Sequence, residues 1–122
     1  MPHARVAVVI EDDADIRSLI CTVLTGSGFD VHTASAGLEG IELVRQLSPA
    51  VTTLDVSMPG IDGYETARRI RAFSDTRILM VTARADESDV RLGREAGADD
   101  YIAKPFRPRD LRAHVEEIVG RD

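Results

Sequence analysis

Five consecutive apolar residues, Val6–Ile10, run straight into three acids, Glu11, Asp12 and Asp13. A strand with one wet face alternates apolar and polar residues, so an unbroken apolar run needs cover on both sides. Parallel sheets flanked by helices supply that cover. A second such run is Ile78–Val81, and shorter or weaker ones lie at Val51–Leu54, near Val31 and at Tyr101–Ala103. Helical patterns separate them. Ile16, Leu19, Ile20, Val23 and Leu24 follow i, i+3, i+4, i+7, i+8 spacing, and Leu111, Val115, Ile118 and Val119 do likewise. Leu38–Leu47 and Tyr64–Phe73 carry apolar residues every three positions. Glu87–Ala96 is the weakest segment, with only Val90, Leu92 and Ala96 apolar, which predicts a short or mobile helix.

Five strands alternating with five helices specify βαβ units, right-handed crossovers and a parallel sheet covered on both faces. Gly26 and Gly28 are placed to end the first helix, Pro49 leads into the third strand, and Pro108 suits a helix's first turn. The 122 residues make one ordinary domain, with no repeat or linker. No apolar stretch approaches the roughly 20 residues that span a bilayer. The opening MPHAR lacks a signal-peptide run, and Cys21 has no second cysteine to pair with. The expected compartment is the cytoplasm. A net charge of -6 argues against nucleic-acid binding by this domain itself.

In an open parallel sheet, ligands bind beyond the carboxyl ends of the strands, where strand order reverses. The residues there are Glu11, Asp12 and Asp13 after the first strand, Asp55 at the end of the third, Thr82 after the fourth, and Lys104 with Pro105 after the fifth. Carboxylates about 4 Å apart repel by roughly 4 kcal/mol at an effective dielectric of about 20. A hard divalent cation between them removes that penalty, and magnesium takes one or two carboxylates together with waters and phosphate oxygens. Lys104 adds a point charge for phosphate and Thr82 a hydroxyl donor. Asp55 can then act as a nucleophile forming an acyl phosphate. Asp13 precedes the helix starting near Ala14 and reads as its N-cap.

With these residues the chain resembles the receiver domain of two-component response regulators. The carriers are VVIEDD, LDVSMPGIDGYE, MVTAR and DDYIAKPF, in order, within about residues 4 to 119. The resemblance implies one receiver domain over 1–122 with the flavodoxin-like (βα)5 fold and strand order 2-1-3-4-5. It makes Asp55 the phosphoacceptor, with Mg2+ held by Asp12, Asp55, Glu11 and the Ser57 backbone carbonyl. Lys104 pairs with the phosphoryl group, and its bond to Pro105 is cis. Thr82 and Tyr101 form the switch pair. Ser57 and Arg84 flank the path of attacking water and tune the lifetime of the phosphorylated state. The implied donor is a sensor histidine kinase or phosphotransfer protein, and the implied receiver of the signal is an output domain or effector protein. Catalysis is confined to the chain's own phosphorylation and dephosphorylation.

Other readings fit less well. An aspartate-nucleophile phosphohydrolase usually carries an acid where Ser57 stands, and a flavin carrier would need a hydroxyl- and glycine-rich loop in place of EDDAD. A phosphorylation-independent pseudo-receiver would not need intact Asp12, Asp55, Thr82 and Lys104. Pro59, Gly60 and Gly63 read as turn chemistry. His3, His32 and His114 have no ligand spacing and read as surface residues. The pattern departs from the family in three places. Ala50 stands where an acid is common. Thr52 and Thr53 occupy a strand interior, where a buried hydroxyl needs a partner. Parts of the sequence, GADDY and KPF, resemble the winged-helix transcription-factor branch, whose receivers dimerise through the fourth helix, fifth strand and fifth helix. Here Arg91, Arg94 and Arg112 stand where that face carries its apolar patch, so either a solvated surface or a partner with an acidic face replaces the two-fold dimer.

Overall fold

The structure, a computed structural model, describes residues 5–83 and 86–120. Strands and helices alternate: β1 (Arg5–Ile10), α1 (Ala14–Gly26), β2 (Phe29–Ala34), α2 (Gly37–Leu47), β3 (Val51–Asp55), α3 (Gly63–Arg71), β4 (Arg77–Thr82), α4 (Glu87–Ala96), β5 (Asp100–Ala103) and α5 (Pro108–Val119). All strand pairs are parallel and the order is β2-β1-β3-β4-β5. This is the flavodoxin-like arrangement, with the reversal of strand order between β1 and β3.

The unbroken run in β1 is explained by two cores. Ala7 and Val9 point toward α1 and α5, packing with Ile20, Leu24, Leu111 and Val115. Val8 and Ile10 point the other way, onto Ile41, Val44, Ile70 and Met80. Ala7, Val8, Val9 and Ile10 are all fully buried. Burying a side chain of this size contributes about 1.5–3 kcal/mol relative to exposure.

α4, the segment with the weakest apolar pattern, is the second shortest of the five helices. It is a complete helix of 10 residues, one longer than α3. Its buried residues are Gly93 and Ala96, while Leu92 is 47 % exposed. Small residues make the inward face, so apolar periodicity underestimates it. Its ends are well specified: the Asp86 side chain accepts from the Asp89 N–H at 3.0 Å, and Gly97 takes the left-handed conformation after the last turn.

The two threonines of β3 resolve differently. The Thr52 hydroxyl meets that of Thr76 at 3.2 Å, inside the core. The Thr53 hydroxyl is buried with no hydrogen-bond partner. Opposite the functional end of the sheet, Arg71 ties three elements together. Its guanidinium donates to the carbonyls of Gly97 (3.1 Å), Ser74 (3.1 Å) and Thr76 (2.6 Å) and to Asp99 Oδ2 at 2.8 Å. Asp99 Oδ2 also accepts from the Ile78 N–H at 2.8 Å, which fixes the start of β4.

Candidate functional site

Register brings the charged residues to one edge. Ile10 pairs with Leu54, so Glu11 and Asp55 stand side by side one step further on. Thr82 pairs with Ala103, so Lys104 is one step past the end of β5. The Lys104 N–H donates to the Thr82 carbonyl at 2.7 Å, which seats the lysine beside β4. Its ammonium then reaches Asp55 Oδ1 at 3.3 Å and Glu11 Oε1 at 3.1 Å. The Lys104–Pro105 bond is cis.

Carboxylate oxygens of Glu11, Asp12 and Asp55 lie within 4.8 Å of one another. Glu11 is 1 % exposed and Asp55 4 %, whereas Asp12 faces solvent. Glu11 is held in place by its backbone: its N–H donates to the Ala34 carbonyl at 3.0 Å, and its carbonyl accepts from Arg17 Nη1 at 2.9 Å. Its Oε2 accepts from the Asp13 N–H at 3.2 Å. Asp13 itself caps α1, accepting from the N–H groups of Asp15 (2.9 Å) and Ile16 (3.0 Å). The Ser57 N–H donates to Asp55 Oδ1 at 3.3 Å, and the Ser57 side chain is exposed.

The electrostatics are those of a site short of positive charge. Burial pushes the Glu11 carboxyl up to about 7, and the neighbouring Asp55 carboxylate acts in the same direction. Burial likewise raises Asp55, with the Lys104 ammonium pulling the other way. For Lys104, burial acts to lower the pKa, and the Glu11 and Asp55 carboxylates outweigh it, leaving the ammonium more firmly charged than usual. One lysine therefore serves two buried carboxylates. Glu11 Oε1, though within ion-pair distance of that lysine, accepts no hydrogen bond. An all-oxygen donor set with one buried oxygen unsatisfied fits a hard divalent cation.

Thr82 is buried at the end of β4. Tyr101 is half-buried, its ring lies against Gly93 of α4, and its hydroxyl donates to the Asp89 carbonyl. Arg84 lies outside the described residues, as does His3. Gly60 has a positive φ of 83°, in keeping with turn chemistry. Gly63 serves a different purpose: a Cβ there would sit 2.3 Å from the Asp55 carbonyl oxygen and 2.7 Å from Val56 Cα. Its N–H also donates to the Val56 carbonyl at 2.8 Å. The glycine lets α3 start directly against the residue that carries the Asp55 side chain. The remaining histidines pair with neighbouring acids: His32 Nε2 lies 3.3 Å from Asp30, and His114 Nδ1 lies 2.7 Å from Asp100. Cys21 is partly exposed on α1, its Sγ 4.0 Å from the Thr25 hydroxyl. Sequence reasoning missed Tyr64, whose hydroxyl also reaches Asp89, because nothing in its helical spacing marks it out.

On the far side, Arg91, Arg94, Arg107, Arg109 and Arg112 are exposed on α4 and at α5, and none of their guanidinium groups forms a hydrogen bond or ion pair among the described residues. Arg45, Arg68, Arg69, Arg71 and Arg77, by contrast, all pair with acids. Among the described residues no helix is long and apolar enough to cross a membrane.

Comparison with known proteins agrees with this geometry. Residues 7–116 match the family model described as the response regulator receiver domain. The chain is 42 % identical over 115 residues to the DNA-binding response regulator MtrA of Mycobacterium tuberculosis, covering 94 % of this chain and 50 % of the relative. It is 44 % identical over 114 residues to the transcriptional regulatory protein AfsQ1 of Streptomyces coelicolor, covering 93 % of this chain and 51 % of the relative. The chain thus spans about half the length of these curated relatives. Among solved structures it is similar to a response regulator from Chloroflexus aurantiacus, with a TM-score of 0.89 and 36 % identity, covering 98 % of this chain and 100 % of that one. It is also similar to the BeF3-activated receiver domain of Klebsiella pneumoniae RstA, with a TM-score of 0.88 and 28 % identity, covering 96 % and 100 % of the two chains. The strand order, the acid cluster at its reversal point and a family match running across nearly all of the chain lead to one conclusion: this is a member of the response regulator receiver domain family, the signal-receiving module of two-component systems.

Proposed function

We propose that the domain takes a phosphoryl group from a histidine kinase, or from a phosphotransfer protein, onto Asp55. The observation that carries the reading is the pair of buried carboxylates, Glu11 and Asp55, held by one ammonium at 3.1 and 3.3 Å. A carboxylate oxygen of Asp55 forms the new bond to phosphorus as the phosphorus–nitrogen bond of phosphohistidine breaks. The electron pair stays on the imidazole. Lys104 offsets charge on the phosphoryl oxygens, and Thr82 offers them a hydroxyl. Glu11, Asp12, Asp55 and the Ser57 carbonyl would hold Mg2+, which supplies further neutralisation of phosphoryl charge. Ser57 and Arg84, two residues beyond Asp55 and Thr82, govern water access and the lifetime of the acyl phosphate. The intact acid and lysine cluster favours this over a phosphorylation-independent module.

Thr82 and Tyr101 pass the change to the α4–β5–α5 face. A phosphoryl group can shift that equilibrium only through its differential affinity for the two arrangements. The output belongs to a further domain or an effector protein, in the cytoplasm; the relatives named DNA-binding regulators are about twice this length. Pairing of two copies through this face would set Arg91, Arg94 and Arg112 against their own equivalents about a two-fold axis. The domain is therefore expected to remain monomeric in sedimentation velocity with magnesium and beryllofluoride; a concentration-dependent dimer under those conditions would contradict this reading of the arginine face.

The direct test of the transfer is intact mass after incubation with a small acyl-phosphate donor. One added phosphoryl group is expected with magnesium, and none after chelation. Equal labelling with and without the metal would overturn the proposed role of the acid cluster.

A further inference from the structure

The chain has two tyrosines and no tryptophan, and both tyrosine hydroxyls end on one atom. Tyr101, from β5, donates to the backbone carbonyl of Asp89 in the first turn of α4. Tyr64, from the first turn of α3, reaches the same carbonyl at 3.4 Å and the Asp89 carboxylate at 3.4 Å. Three elements meet at this point. On one side a cavity of about 510 Å³ opens along α4, but Glu87, Glu95, Arg91 and Arg94 around it mix both signs and select no partner. On the other side a cavity of about 470 Å³ runs from Asp89 and Tyr64 to Val56, Ser57 and Met58, the loop that leaves Asp55.

The geometry points to Tyr64 as a third positioning residue of the switch: by holding the first turn of α4 to α3, it keeps the Asp89 carbonyl where Tyr101 can bind it. Several features support a positioning role over simple competition between two donors. The Tyr64 contacts are long and divided between the carbonyl and the carboxylate, so they constrain the turn more than they occupy the carbonyl. A carbonyl has two lone pairs and accepts both hydroxyls. The Tyr101 ring has no slack on the α4 side, since a Cβ on Gly93 would lie 2.6 Å from its Cε2. A small displacement of the first turn of α4 therefore costs Tyr101 both its ring contact and its hydrogen bond. Tyr64 starts from the same turn as Gly63, which is packed against the Asp55 backbone. A path of direct contacts thus runs from Asp55 through α3 to the carbonyl that holds Tyr101.

The inference rests on the phosphoryl-receiving reading and deepens it. If Tyr64 stabilises the packed position of Tyr101, and that position is the one phosphorylation favours, then loss of the Tyr64 hydroxyl weakens the response. The test is an NMR titration of the magnesium-loaded domain with beryllofluoride, following the backbone amides of Asp89 and Gly93. Tyr64→Phe keeps the ring and its packing. It is expected to move the midpoint to about three- to ten-fold higher beryllofluoride, the range for loss of one hydrogen bond. In a Tyr101→Phe background the same substitution should leave the midpoint unmoved, because there is no second hydroxyl to position. A wild-type domain that shows no response would reject the receiver reading itself. A wild-type response with an unshifted Tyr64→Phe midpoint, or an equal shift in both backgrounds, would reject the role of Tyr64 alone.

Discussion

Gly63→Ala should unfold at a temperature lower by about 10 °C and should load phosphate far more slowly than the wild type. The expected cost is about 2–4 kcal/mol, and each kcal/mol shifts the midpoint of a domain this size by about 4 °C. The clash is with backbone, which is why the cost is large. The added Cβ would meet the Asp55 carbonyl oxygen at 2.3 Å, the Val56 Cα at 2.7 Å and the Asp55 carbonyl carbon at 3.0 Å. No side-chain rotation relieves any of these contacts. Either α3 moves off the sheet, breaking the Gly63 to Val56 hydrogen bond at 2.8 Å, or the end of β3 moves. The second response carries the Asp55 carboxylate away from Lys104. Gly60→Ala, where a Cβ meets nothing within 4 Å, is the control: it bears only the strain of its positive φ. Thermal denaturation and phosphoryl loading measured on both variants decide the matter. A Gly63→Ala domain as stable as Gly60→Ala and loaded at the wild-type rate would show that the close approach is absorbed without consequence.

Arg71→Ala should cost about 3 kcal/mol, although the residue is far from the acid cluster. Removing it leaves the Asp99 carboxylate and the carbonyls of Gly97, Ser74 and Thr76 without their shared donor. Losing the partner of a fully buried charge costs about 3–5 kcal/mol. Here the side chains of Arg71 and Asp99 keep 26 % and 20 % exposure, so water recovers part of the loss. Asp99 also retains Arg77 at 3.7 Å and the Ile78 N–H at 2.8 Å. Because these groups form one network, Asp99→Ala should cost clearly less in an Arg71→Ala background than alone. Urea denaturation of the two single variants and the double variant measures that coupling. Additive costs would mean that the two residues act independently.

The fold was legible because its strands are short, apolar and in places non-alternating, which only a doubly covered sheet explains. Once the sheet is parallel, the residues just past the strands must share an edge, so the sequence alone groups Glu11, Asp55, Thr82 and Lys104. The N-cap at Asp13 and the first-turn proline at Pro108 were equally local and equally readable. What could not be read needed contacts between distant elements. α4 looked weak because its inward residues, Gly93 and Ala96, carry little apolar surface; at Gly93 the Tyr101 ring leaves no room for a side chain. Gly63 passed for a turn residue because a close backbone approach leaves no trace in sequence spacing. The meeting of Thr52 and Thr76, and of Tyr64 with Asp89, depends on register and helix rotation.

The central claim is that the buried carboxylate of Asp55 accepts the phosphoryl group. It is tested most directly by locating the phosphoryl group by peptide mass analysis after loading in magnesium, in the wild type and in Asp55→Asn. The expected result is one phosphoryl group on the peptide that contains Asp55 in the wild type and no labelling of the variant, whose fold is checked by its circular dichroism. A phosphoryl group on Asp12 or Glu11 in the wild type, or full labelling of a folded Asp55→Asn domain, would contradict the claim.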